Sequence, residues 1–163
     1  MQKNIGIDIT NLDPDYYGGS DTYSNGLING LINSKTKHKF QIYVSKKYFE
    51  NRKFLKKKNV KVIVFRYSII EFIILKFYNR IVPYISILLG NFKFELDYII
   101  RNFVNRDLTN LINKNSEYLF SPNVLLPSYN LKVKSILNIQ DIQHIHFPDF
   151  FSYSENLRRK YLY

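Results

Sequence analysis

Apolar and polar positions follow two periods along this chain, and they switch several times. Ile5 to Ile9, Phe40 to Val44 and Val60 to Phe65 are short apolar runs rich in β-branched and aromatic residues, and each predicts a buried strand. Between the first two, Tyr23, Leu27, Ile28, Leu31 and Ile32 recur at helical spacing behind a start signal at Ser20 and Asp21. Asn11 to Gly19 is a loop, marked by Asp13-Pro14 and Gly18-Gly19. Lys46 to Lys58 is a basic, partly helical connector. Ile69 to Leu89 predicts a helix, broken near Pro83. Phe94 to Ile112 predicts another, with Leu96, Ile99, Ile100, Phe103 and Val104 as its apolar stripe. Tyr118 to Ser121 and Val133 to Ile139 read as strands. Gln140 to Phe151 reads as an irregular loop, and Ser154 to Tyr161 as the start of a last, basic helix.

Strands that alternate with helices predict a parallel sheet sandwiched by helices, a Rossmann-like α/β domain. Ligands of such sheets bind beyond the carboxyl ends of the strands. Three segments fall there: the loop at Gly18-Gly19, the stretch Ser121 to Pro127, and the loop from Gln140.

Composition narrows this picture. A length of 163 residues suits one domain, and 45% apolar residues can fill a core. The formal charge is +11. It favours an anionic partner such as nucleic acid, acidic lipid or a phosphorylated substrate, or simply reflects solubility and a biased composition. Without cysteine there are no disulfides, no thiolate chemistry and no cysteine metal site, as in a reducing cytoplasm. The first residues contain no apolar signal-peptide core. Ile69 to Leu89 is strongly apolar, but Glu71, Lys76, Asn79, Arg80 and Pro83 interrupt it, which argues against a membrane span.

The glycine pair Gly18-Gly19 stands between a strand and a helix. Glycines let a backbone approach a ligand closely, and the helix start offers free N–H groups to a phosphate or carboxylate. The pattern is neither a dinucleotide fingerprint nor a P-loop, and an ordinary tight turn explains it as well. Gly26 and Gly30, four apart, suggest close packing of the helix on the sheet.

The second polar concentration runs from Asn138 to Phe151 and holds Gln140, Asp141, His144, His146 and Asp149. Acid–base chemistry is one reading, since histidine titrates near neutrality. Metal binding through His144, His146 and an aspartate is another, but no third ligand is assured. The bland alternative has Asp141 capping the loop and one histidine packed beneath aromatics.

Together the two loops resemble a known family. Ile5-Gly6-Ile7-Asp8, then Tyr17-Gly18-Gly19-Ser20-Asp21-Thr22-Tyr23, is similar to the opening of family 4 glycosyltransferases of the GT-B fold. Tyr118-Leu119-Phe120-Ser121-Pro122, then Ile139-Gln140-Asp141-Ile142-Gln143-His144 and Phe147-Pro148-Asp149-Phe150-Phe151-Ser152, resembles its second hallmark. The middle of the chain, about Lys46 to Asn115, is generic.

The resemblance implies the N-terminal, acceptor-side half of an enzyme that moves a sugar from a nucleotide-sugar donor to a glycan, lipid or other acceptor, with retention. Gly18, Gly19, Thr22 and Tyr23 would contact substrate, and Gln140, Asp141 and His144 would line the catalytic cleft. No metal and no cofactor beyond the nucleotide-sugar is implied. Gln140 stands where the family commonly has histidine, and glutamine cannot act as an acid–base. The chain stops in or just after a helix and looks cut. The expected partner is therefore the missing nucleotide-binding C-terminal domain or a chain that supplies it.

The location expected is cytoplasmic, with peripheral membrane contact a further option through Phe72, Phe77, Tyr78, Lys76 and Arg80. A buried helix with a charged rim is the favoured reading of that segment. A non-catalytic acceptor- or partner-binding domain is the alternative function. Nucleic-acid binding through Lys56-Lys57-Lys58 and Arg158-Arg159-Lys160 lacks any supporting motif.

Overall fold

A computed structural model describes residues 1–12, 19–51, 59–89, 92–122, 125–138 and 143–162. Five strands form one sheet: β1 (Asn4–Asp8), β2 (Lys39–Ser45), β3 (Val60–Phe65), β4 (Tyr118–Ser121) and β5 (Lys134–Leu137). Their order is β3-β2-β1-β4-β5, and every neighbouring pair is parallel. This is the Rossmann-like α/β sheet expected from the alternating pattern.

Helices cover both faces. On one face, Ile28 of α1 (Gly19–Asn33) packs with Ile7, Ile9, Phe40, Ile42, Val44 and with Tyr48 of α2 (Lys46–Asn51). On the other, Leu108 and Ile112 of α5 (Arg106–Asn115) pack with Tyr43, Phe65 and Leu119. Successive strand residues point to opposite faces, so Ile7 and Ile9 meet the first helix layer while Gly6 meets the second. Gly6 is demanded by closeness: a Cβ there would lie 2.8 Å from Ser116 Oγ and 3.0 Å from the Tyr43 ring. Burying an isoleucine or leucine of this kind contributes about 1.5–3 kcal/mol before entropy is counted. At the sheet's edge, β5 exposes all four of its residues, with Lys134 on the rim, a residue type that discourages pairing with another chain.

Several helical expectations are corrected. The single helix over Phe94 to Ile112 is two: α4 (Phe92–Val104) and α5, parted at Asn105. Asn105 leaves helical geometry at φ −99°, ψ 19°. Its Nδ2 donates to the Arg101 carbonyl (3.2 Å) and its Oδ1 accepts from Tyr67 Oη (2.8 Å). Asparagine competes for backbone groups in this way, which suits it to helix ends. The expected stripe of α4 is also misplaced. Of the stripe, Val104 is buried as expected, but Ile99 and Phe103 are 59% and 63% exposed, while Asp97 and Arg101 face inward. α3 (Ile69–Leu89) continues through Pro83. It is not the buried helix favoured by its composition: Ile69, Ile70, Phe72, Ile73, Phe77 and Ile81 are all exposed. On α1, Tyr23 stands out from the predicted apolar stripe, with 42% of its surface exposed. Gly26 and Gly30 are exposed too, and a Cβ on either would meet nothing within 4 Å, so close packing does not explain them.

The expected loop after β5 contains a helical turn, α6 (Gln143–His146), and a 3₁₀ turn at Pro148–Phe150. The chain continues into α7 (Tyr153–Leu162), where Arg159 pairs with Glu155 at 2.8 Å and lies over the Phe151 ring. No helix among the described residues is long and apolar enough to cross a membrane.

Candidate functional site at the carboxyl ends of the strands

In a parallel sheet all strands end on one side, so the loops after β1, β2, β4 and β5 open in one direction. The chain leaves β1 toward β2 but reaches β4 from the far flank, so the order reverses between β1 and β4. Crevices of α/β domains lie at such reversals. The β1 and β5 loops, which carry the two sequence-derived residue sets, are separated by β4. At the usual strand spacing they start about 10 Å apart.

The first set is only partly described. Gly18 lies outside the described residues. Gly19 opens α1, is exposed, and has nothing among the described residues within 4 Å of where a Cβ would be. Thr22 and Tyr23 are exposed on the same helix. The buried residues of this turn are Asp21 and Ser24. Tyr48 Oη donates to Asp21 Oδ1, and Asn25 Nδ2 donates to the Asp21 carbonyl (2.9 Å) and to Tyr48 Oη (3.2 Å). A carboxylate in the first turn offsets the positive end of the helix. The anion-attracting power of α1 is therefore partly used by its own Asp21.

In the second set, Gln140 and Asp141 lie outside the described residues. His144 is buried at 5% exposure on α6, whereas His146 is exposed beside Phe147. The two histidines thus differ in environment despite their spacing. Among the described residues no three metal-ligating side chains cluster. After β4, Ser121 and Pro122 are both fully covered, and Ser121 Oγ donates to the Leu125 carbonyl (3.2 Å). That stretch is committed to shaping its own turn. Asn138 N donates to the Ser121 carbonyl at 3.0 Å, which holds the β5 exit against the β4 exit.

The chemistry that sequence reasoning passed over is Asp8, the last residue of β1. It is 1% exposed. Thr10 donates to its Oδ1 through both N (3.0 Å) and Oγ1 (2.7 Å), while Oδ2 is buried with no hydrogen-bond partner among the described residues. Burial pushes this carboxyl above the usual carboxylate range, and the two bonds from Thr10 pull only partly the other way. Tyr67 is raised by the same burial and by the charge of Asp8. Tyr43, raised by burial as well, bonds Ser116 Oγ at 2.9 Å. The strand end is thus a buried polar site whose carboxyl holds its proton more firmly than an exposed aspartate does. The available signal was a single carboxylate inside the run Ile5-Gly6-Ile7-Asp8-Ile9.

The architecture defines a Rossmann-like α/β domain. No protein-family model, no curated protein and no solved structure matches the chain.

Proposed function

We propose that this chain is the acceptor-side half of a GT-B glycosyltransferase that transfers a sugar from a nucleotide-sugar to a glycan, lipid or other acceptor. The observation that carries the reading is the sheet itself. Its strands are all parallel, and the Gly19 helix start and the His144 turn follow β1 and β5, which supports a ligand site at the strand ends near the reversal between β1 and β4. The family resemblance of both segments supplies the activity. In this reading Gly18, Gly19, Thr22 and Tyr23 approach substrate, Gln140 and His144 line the cleft, and Asp141 orients an acceptor hydroxyl. The nucleotide-sugar is gripped by a second domain, in the same chain or a partner. The α3 face of exposed isoleucines and phenylalanines, with Lys76 and Arg80 among them, supports a peripheral position on acidic lipid.

A second reading is a non-catalytic acceptor- or partner-binding domain, favoured by Gln140 in place of the family's histidine. One experiment separates the two. Donor hydrolysis and transfer are followed over a panel of nucleotide sugars, for the chain alone and together with a nucleotide-binding second domain or the product of an adjacent gene. Transfer only in the combined sample is the expected result. Turnover by the chain alone would show that the donor site is not elsewhere. No turnover in either sample, with retention of a glycan acceptor, would replace the transferase by the binding domain.

A further inference from the structure

Away from the strand ends, α5 is flanked by the crossover that leads from β4 into β5. Between them lies a half-open groove of about 850 Å³, whose walls include Asn102, Arg106, Asn113, Lys114, Asn130 and Lys132. Arg106, Asn110, Asn113 and Lys114 recur at helical spacing and share one face of α5. Lys132 faces them from the crossover.

Two asparagines fix the walls. Asn113 donates to the Asn130 carbonyl (3.2 Å) and accepts from Lys132 N (2.8 Å). Asn102 Oδ1 accepts from Ser128 Oγ (2.7 Å) and Tyr129 N (3.0 Å). Because a backbone N–H can only donate, the second bond fixes which way the Asn102 amide points. Its Nδ2 is then left buried with no acceptor among the described residues. A buried donor without a partner is costly, and Asn102 is held as a rigid part of the groove wall by the two bonds to its Oδ1.

The charge is equally one-sided. The groove has three cationic residues and no acidic one in its lining. Arg106, Lys114 and Lys132 form no ion pair among the described residues. Leu131 is the sole apolar side chain in the lining, and no aromatic ring is present there.

We propose that this groove binds an anionic carbohydrate: a mono- or disaccharide that carries a phosphate. Phosphate oxygens meet the guanidinium and ammonium groups. The Asn110 carboxamide offers a donor and an acceptor, and Asn113 a second N–H, which matches neighbouring hydroxyls that donate and accept. The volume lies within the roughly 300–1,000 Å³ of small-molecule sites. The missing aromatics weigh against single-stranded nucleic acid, whose bases need stacking platforms. The proposal does not depend on the transferase reading, since it concerns another part of the molecule.

The test compares maltose 1-phosphate, maltose and inorganic phosphate, by calorimetry and by amide chemical shifts of the labelled chain. Maltose 1-phosphate is expected to bind at least about tenfold more tightly than either fragment, with shifts at Asn102, Asn113 and Asn130 to Lys132. Arg106→Ala and Lys132→Ala, both on the surface, should each weaken it about tenfold. Asn102→Asp keeps the two accepted bonds but puts a negative charge in the groove wall, so it should weaken binding at least about tenfold while the fold persists in circular dichroism. Equal affinity for inorganic phosphate would overturn the carbohydrate claim. Equal affinity for maltose, shifts elsewhere, or tighter binding of a short RNA in the same groove would overturn the proposal.

Discussion

The sheet and the α3–α4 flank sort their side chains in opposite ways. Around the sheet, apolar residues go inward: Ile7, Ile9, Ile42, Val44, Leu108, Ile112 and Leu119 are each about 1% exposed or less. On the flank, Phe72, Phe77, Ile99 and Phe103 face outward while Asp97, Arg101 and Tyr78 are buried. Asp97 is the hub of that interior. Arg101 Nε meets both its oxygens at 2.8 Å, Tyr78 Oη donates to Oδ1 at 2.6 Å, and Tyr129 Oη donates to Oδ2 at 2.5 Å. One region is held by non-directional burial. The other is held by a few directed, charge-assisted bonds, and it leaves its apolar side exposed.

The contrast breaks first at Asp97. Asp97→Ala strands Arg101 as a buried cation and frees two tyrosine hydroxyls. The expected loss is about 3–5 kcal/mol in urea denaturation. Ile112→Ala, which only opens a cavity in the sheet core, should cost about 2–5 kcal/mol. Replacing Asp97 and Arg101 together by Met and Leu should recover most of the first loss, because no buried charge is then left unpaired. If the double variant is as unstable as Asp97→Ala, the network is not a charge balance and the comparison fails.

That difference also explains what the sequence made legible. β1, β2 and β3 were found within a residue or two, because short runs rich in β-branched and aromatic residues read as strands. α1 was found because Ser20 and Asp21 signal a start and Leu27, Ile28 and Leu31 follow at helical spacing. The partition of α3 and α4 was misread because periodicity reports which face is apolar, not which face is covered. Phe103 looked like core and is surface. Asp97 is core, and nothing near it in the chain signals this, since its partners Tyr78 and Tyr129 lie 19 and 32 residues away. The break at Asn105 was hidden for a similar reason: its side chain is fixed by Tyr67, from a segment 38 residues earlier. At the site, Gly19 and His144 were picked out by type and position, whereas Asp8 was passed over as one residue of a strand.

Asp8 sharpens the comparison because it is a lone buried acid within the apolar region. Its pKa in the fold is raised by burial. The sign follows directly: the folded state prefers the protonated form, so this contribution to stability is complete below the unfolded pKa of about 3.9. It is lost as pH rises through the higher folded value. Asp8→Asn keeps an oxygen for Thr10 and removes the charge. At neutral pH it should gain about 1–2 kcal/mol, as expected for relief of a buried, unpartnered group. The gain should shrink toward zero near pH 3 if denaturation midpoints are followed across pH. A gain that does not vary with pH would mean that Asp8 is not the titrating group.

The smallest effect on stability belongs to the outward face of the flank. In Phe72→Ser with Phe103→Ser, two rings that are 57% and 63% exposed lose little burial. The change in unfolding free energy should stay within about 0.5 kcal/mol, as for surface sites generally. A different assay should respond strongly. On α3, Lys76 and Arg80 lie on the same exposed half of the helix as Phe72, Ile73 and Phe77. Their stems can lie along an apolar surface while the charged ends reach lipid phosphate. Sedimentation with vesicles containing phosphatidylserine should therefore fall in the double variant, and fall again when salt is raised. Vesicle binding unchanged by the substitution, with unchanged stability, would leave these rings without a membrane role. A stability loss of several kcal/mol would instead mean that the flank buries its apolar side after all, and the two regions would obey one rule.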